Sequence, residues 1–111
     1  MDESRFNQTV DELLMSIEDA VESLIDETDA DIDLESAGGI LTLSFEDNSK
    51  IIINRQTPLH QVWVATRAGG FHFNFDLDTQ QWRDEKSQAE LFADLSQHCS
   101  TSLGKKVSLN P

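Results

Sequence analysis

The apolar residues of this chain change their spacing twice, and those two changes constrain what it can fold into. From Phe6 to Ile25, the residues Phe6, Val10, Leu13, Leu14, Ile17, Val21, Leu24 and Ile25 recur at three- and four-residue intervals, the repeat of an amphipathic helix. After Ala30 the repeat becomes two. Asp31, Asp33 and Glu35 alternate with Ile32 and Leu34, which predicts a half-buried strand whose acids all point one way. Gly38-Gly39 predicts a turn, and Ile40 to Phe45 alternates again. Asp47-Asn48-Ser49 reads as a tight reversal with Asn48 at positive φ. Further strands are expected over Lys50 to Asn54, His60 to Thr66, Phe71 to Phe75 and around Trp82, with Gln56 to Leu59 as a loop and Gly69-Gly70 as a turn.

The helical repeat returns near the end. Ser87-Gln88-Ala89-Glu90 has the pattern of a capping box, so a second helix is expected to start at Ser87, bury Leu91, Phe92, Leu95, Cys99 and Leu103, and stop at Gly104. Helix, antiparallel strands, helix is an α+β order, most simply built with both helices on one face of the sheet and the other face open to solvent. A length of 111 residues fits one domain. The single cysteine and an N-terminus without basic or apolar targeting features fit a reducing, cytoplasmic setting. No apolar run approaches the roughly 18 residues of a membrane span.

Charge is distributed unevenly over this pattern. Of 21 acidic residues, 13 lie between Asp2 and Glu35, where Arg5 is the only Lys or Arg, so the first 35 residues carry −12 of a net −13. Such a chain repels nucleic acid and anionic lipid and attracts cations and basic protein surfaces. On the helical wheel Asp11, Glu12, Glu18, Asp19, Glu22 and Asp26 fall within an arc of about 120°, opposite the apolar side. Their stacking conflicts with stability. Like charges one turn apart cost roughly 0.2–0.5 kcal/mol per pair, and Asp26, Glu27 and Asp29 sit near the helix C-terminus, where the macrodipole disfavours anions. Conflict of this kind marks a binding surface more than a merely solvated one.

Oxygen ligands suit hard cations and also accept Fe²⁺. An enclosed site is not expected. Asp29, Asp31 and Asp33 open like an EF-hand loop, but Leu34 stands where that loop needs glycine and Ile40 where it needs a bidentate Glu. His60, His72, His98 and Cys99 show no zinc spacing, and Cys99 belongs to the core face of the second helix. No nucleophile with its base stands out. In the fourth strand, Val62 and Val64 face the core, which sends Gln61 and Trp63 to the open face, where an exposed Trp beside a Gln is a recognition anchor.

These residues together resemble the frataxin family, in its short bacterial branch (CyaY-like). The resemblance is carried by Gly38-Gly39-Ile40-Leu41-Thr42-Leu43, by the run from Ser49-Lys50-Ile51-Ile52-Ile53-Asn54-Arg55-Gln56 through Thr57-Pro58-Leu59-His60-Gln61-Val62-Trp63-Val64-Ala65, and by Gly69-Gly70-Phe71-His72-Phe73. It extends over residues 1–111 as one frataxin-like domain. It implies a two-layer α-β sandwich with two helices on one face of a five- to seven-stranded antiparallel sheet.

By the same resemblance, the protein is a non-enzymatic iron-binding regulator, sensor or donor in iron–sulfur cluster assembly. Fe²⁺ or Fe³⁺, or other hard cations in their place, would bind weakly along Glu18, Asp19, Glu22, Asp26, Glu27, Asp29, Asp31 and Asp33, to which the helical wheel adds Asp11 as a candidate ligand. Glu18, Asp19 and Glu22 would meet a basic patch of the cysteine desulfurase, and Asn54, Gln56, Gln61 and Trp63 would contact the iron–sulfur assembly machinery, Gln61 and Trp63 on the scaffold side. A monomer is expected, with iron-induced oligomers as the variant. The rival expectations are a ferroxidase or iron-storage protein, although no Glu-x-x-His pair of the di-iron type is present, and a generic acidic adaptor.

Overall fold

The structure, a computed structural model, describes residues 1–111. The first helix, α1 (Glu3–Thr28), starts where the Asp2 carboxylate accepts the Arg5 N–H at 2.8 Å and ends at Asp29 in the left-handed conformation, φ 55°. Its 26 residues extend about 39 Å, matching the longest dimension of the molecule, 39 Å. Phe6, Val10, Leu13, Leu14, Ile17, Ala20, Val21 and Leu24 form its buried face.

Six strands follow: β1 (Ile32–Ala37), β2 (Ile40–Phe45), β3 (Lys50–Gln56), β4 (Gln61–Thr66), β5 (Gly69–Asp76) and β6 (Gln81–Asp84). They form one antiparallel sheet in sequential order. The two-residue Gly38-Gly39 hairpin has φ of 61° and 78°, and Asn48 has φ 70°, the left-handed values that these turns require. The second helix, α2 (Leu91–Leu103), ends at Gly104 with φ 70°.

Both helices supply the core together with one face of the sheet: 25 buried apolar residues form a single cluster that includes Leu43, Ile53, Val62, Phe73 and Trp82 from the strands and Leu91, Leu95 and Cys99 from α2. The opposite face carries Asn54, Gln61, Trp63, His72 and Asn74. The architecture is the expected two-layer α-β sandwich, with six strands. Residues 105–111 return along α2 as an extended tail. The Ser100 hydroxyl accepts the Val107 N–H at 2.9 Å and the Ser96 hydroxyl accepts the Leu109 N–H at 2.8 Å, which seats both apolar side chains in the core.

Three boundaries differ from expectation. The second helix starts at Leu91, not Ser87, because the Asp84 carboxylate accepts the N–H groups of Lys86 and Ser87 at 3.0 and 2.9 Å and the Ser87 hydroxyl at 3.2 Å. That turn occupies Ser87, and Glu90 caps the helix instead, accepting from Phe92 and Ala93. Gly69 and Gly70 belong to β5 rather than to a turn, and Arg67-Ala68 forms the reversal. The Gln56–Leu59 loop shrinks to a 3₁₀ turn, Thr57–Leu59, while β3 continues to Gln56 and β4 begins one residue late because His60 takes φ 51°.

Candidate functional site

The acidic ridge follows from α1 reaching the edge of the sheet at its C-terminal end. Glu18, Asp19, Glu22, Asp26 and Glu27 lie on α1, Asp29 caps it, Asp31 follows, and Asp33 continues the series on β1, the edge strand. None of these eight carboxylates has an ion-pair partner within 4.0 Å or accepts a hydrogen bond from the protein. Asp11 differs. Its carboxylate is bound by the guanidinium of Arg55 on β3, which also donates to Asn7 at 3.0 Å. Arg55 is separated from Asp11 by 44 residues, so helical periodicity alone counts Asp11 with the ridge while the fold ties it to the sheet.

The ridge offers hard oxygen donors without a preformed cage, since no group of three His, Cys, Asp or Glu side chains converges. The donor set is of the hard-oxygen kind that suits cations such as Mg²⁺, Ca²⁺ and Fe³⁺ and also accepts Fe²⁺. The softer candidates are engaged separately. His60 stacks on Phe6 at 4.8 Å, His72 stacks on Trp63, and His98 lies 3.3 Å from Asp94. Cys99 is fully buried, and burial pushes its thiol up to about 12.

On the open face, the register brings Asn54, Trp63 and His72 into one row and Gln56, Gln61 and Asn74 into the next. Trp63 does not stand free as an exposed anchor. It is half-buried, with its indole stacked on the His72 ring at 4.3 Å and an interplanar angle of 13°. Its Nε1–H donates to Gln61 Oε1 at 2.8 Å, Gln61 Nε2 donates to Glu85 Oε1 at 3.1 Å, and Glu85 Oε2 meets His72 Nδ1 at 2.9 Å. The closed ring Trp63–Gln61–Glu85–His72 presets the indole. Asn54 and Gln56 border this ring, so the structure gathers all four sequence-chosen residues of this face into one patch. His72 and Glu85 were missed. Counting outward from the Arg67-Ala68 reversal pairs Trp63 with His72, but Glu85 lies beyond β6, where no alternation guides the count.

A surface groove of about 790 Å³ lies between the N-terminal half of α1, β6 and the start of α2, lined by Arg5, Leu13, Trp82 and Phe92 among others. It contains none of the candidate ridge or patch residues.

Residues 1–105 match the family model described as the frataxin-like domain. Frataxin from Psychromonas ingrahamii, of the CyaY protein family, is 37% identical, with a TM-score of 0.83 and 100% of both chains covered. Trimeric frataxin from the yeast Saccharomyces cerevisiae, complexed with ferrous ion, is 26% identical, with a TM-score of 0.73 and 87% of each chain covered. A further yeast frataxin structure, 22% identical with a TM-score of 0.71 over 91% of this chain and 82% of that one, shares the fold. With the domain model spanning nearly the whole sequence and a bacterial relative matching it end to end, the chain belongs to the frataxin family, in its bacterial, CyaY-like branch.

Proposed function

We propose that this protein is a non-enzymatic, cytoplasmic iron-binding regulator of iron–sulfur cluster assembly, acting as one frataxin-like domain over residues 1–111. The observation that carries this is the row of unpartnered carboxylates from Glu18 to Asp33 on a frataxin-family chain. Such a row keeps its full charge for a partner instead of using it internally. Family membership supports iron as one ligand, and the yeast relative's complex with ferrous ion supports it further. The second ligand is the basic face of a cysteine desulfurase, with the Trp63 patch turned to the scaffold protein. Iron binds weakly, through one or two carboxylates at a time, and other hard cations substitute for it. Because one surface serves both ligands, binding falls with ionic strength and iron perturbs docking.

The test is calorimetry of the desulfurase–scaffold complex with the protein carrying Glu18→Lys, Asp19→Lys and Glu22→Lys together. Affinity is expected to fall more than tenfold while circular dichroism stays unchanged; an unaltered affinity would rule out the ridge as the docking surface. Titration with Fe²⁺ should move or broaden the amides of the ridge, and a response confined to the surroundings of His72 or His98 would transfer the metal site elsewhere.

A further inference from the structure

The two edges of the sheet are finished differently. At the end of β6 the outer side is occupied: Arg83 forms a bridge with Glu90, and the Asp84 N–H donates to the Ala89 carbonyl at 3.0 Å. Along β1 it is free. The Phe45 N–H donates to the Ser49 carbonyl at 3.0 Å, so odd-numbered residues of β2 bond toward β3 and even-numbered ones toward β1. With Asp33 opposite Ser44 and Glu35 opposite Thr42, Asp33 and Glu35 use their backbone groups on β2, and Ile32, Leu34 and Ser36 point theirs away from the sheet. Ile32 N–H is taken by the Ala30 carbonyl at 3.1 Å. By this register the N–H and C=O of Leu34 and Ser36 face away from β2, and no turn, loop or cap hydrogen bond reaches them.

We propose that β1 accepts an added antiparallel or parallel strand from a basic partner protein, an extended segment with Lys or Arg at alternate positions. This rests on the assignment of the ridge to a basic partner and specifies how the end of that ridge is engaged. A strand added outside β1 places successive same-face side chains beside Asp33 and Glu35 on the open face. Basic residues there complete two cross-strand ion pairs, and backbone hydrogen bonds to Leu34 and Ser36 supply the rest. The same arrangement rejects a second copy of this chain, since β1 against β1 sets carboxylates against carboxylates. The charges that protect the edge from self-pairing therefore select its occupant.

Two capped heptapeptides of equal composition test this, one alternating threonine and lysine, the other with its lysines clustered at one end. The alternating peptide is expected to bind at least fivefold more tightly by NMR titration and to slow amide exchange at Leu34 and Ser36. Ser36→Pro removes an outward N–H that the sheet does not use and is expected to abolish the preference, with Ser36→Ala retaining it. Glu35→Lys gives the same loss without touching the backbone, should the proline variant lose its sheet. Equal binding of both peptides, with exchange at Leu34 and Ser36 unchanged, overturns the edge inference and leaves the ridge assignment standing. Binding of neither peptide likewise overturns the edge inference, the ridge being tested by the desulfurase calorimetry. Protection of Leu34 in a protein dimer without peptide would make the occupant a second copy and equally overturn it.

Discussion

The carboxylates of the first 35 residues and those of the remaining 76 are the same chemical groups put to opposite uses. Among the 8 in the later region, 6 accept hydrogen bonds or ion pairs: Asp47, Asp76, Asp84, Glu85, Glu90 and Asp94. Among the 13 in the first region, only Asp2, Asp11 and Glu12 do. In the later region most acids are structural parts, shaping a turn, capping a helix or, at Glu85, closing the ring around Trp63. On the ridge an acid is an uncommitted charge, tolerated at some cost to the helix that carries it. Mutation should therefore separate the two regions cleanly, with loss of stability in one and little loss, or a gain, in the other.

The largest effect is expected at Asp84, nearly fully buried at 4% exposure. Burial would raise its pKa, but the N–H groups of Ser87 and Lys86 and the Ser87 hydroxyl outweigh that and hold it below the ordinary value of 3.8. Asp84→Asn is expected to lower stability by about 1.5–3 kcal/mol in urea unfolding at neutral pH, the range for hydrogen bonds to a charged group. A folded-state pKa that is depressed stabilises the protein above the unfolded value and loses that contribution as pH falls through the folded one. The gap between wild type and variant should thus be constant near neutrality and shrink below the ordinary carboxylate pKa of 3.8. A gap that does not narrow in acid would show that Asp84 acts through packing alone.

An effect of opposite sign is expected at the end of α1. Glu27→Lys exchanges an anion for a cation where the helix dipole prefers the cation, and should stabilise the protein by about 0.3–1 kcal/mol while weakening desulfurase binding. Stabilisation without loss of binding would detach Glu27 from the docking surface. The smallest effect belongs to Asp33→Asn on the open face, expected within about 0.5 kcal/mol of wild type. A larger loss there would mean that the ridge carries structure after all, and the contrast between the two regions would fail.

What the sequence made legible follows the same division. Elements defined by burial were readable, since Phe6 to Ile25 could bury one face only as a helix and Leu41, Leu43 and Phe45 only as a strand. Local turn chemistry was readable at Asn48 and Gly104, where the required φ is a property of the residue itself. Competition was not readable. Ser87 fits a capping box by spacing, yet Asp84 lies close enough to claim its N–H and hydroxyl first. Pairings between distant segments, Arg55 with Asp11 and Trp63 with His72, arise only from the register of the sheet and the placement of α1 on it. The ridge residues were identifiable one by one, but their lack of partners is a property of the folded surface.

The tail clasped by Ser96 and Ser100 makes the interior depend on residues far apart in the chain. Val107 and Leu109 share one core with Phe6 and Val10, so a nascent chain holds an incomplete interior until Leu109 has left the ribosome. The finished core therefore needs this segment in place beside α2. Until it is there α1 has no finished surface to pack on, and the carboxylates it carries are not yet aligned along a ridge.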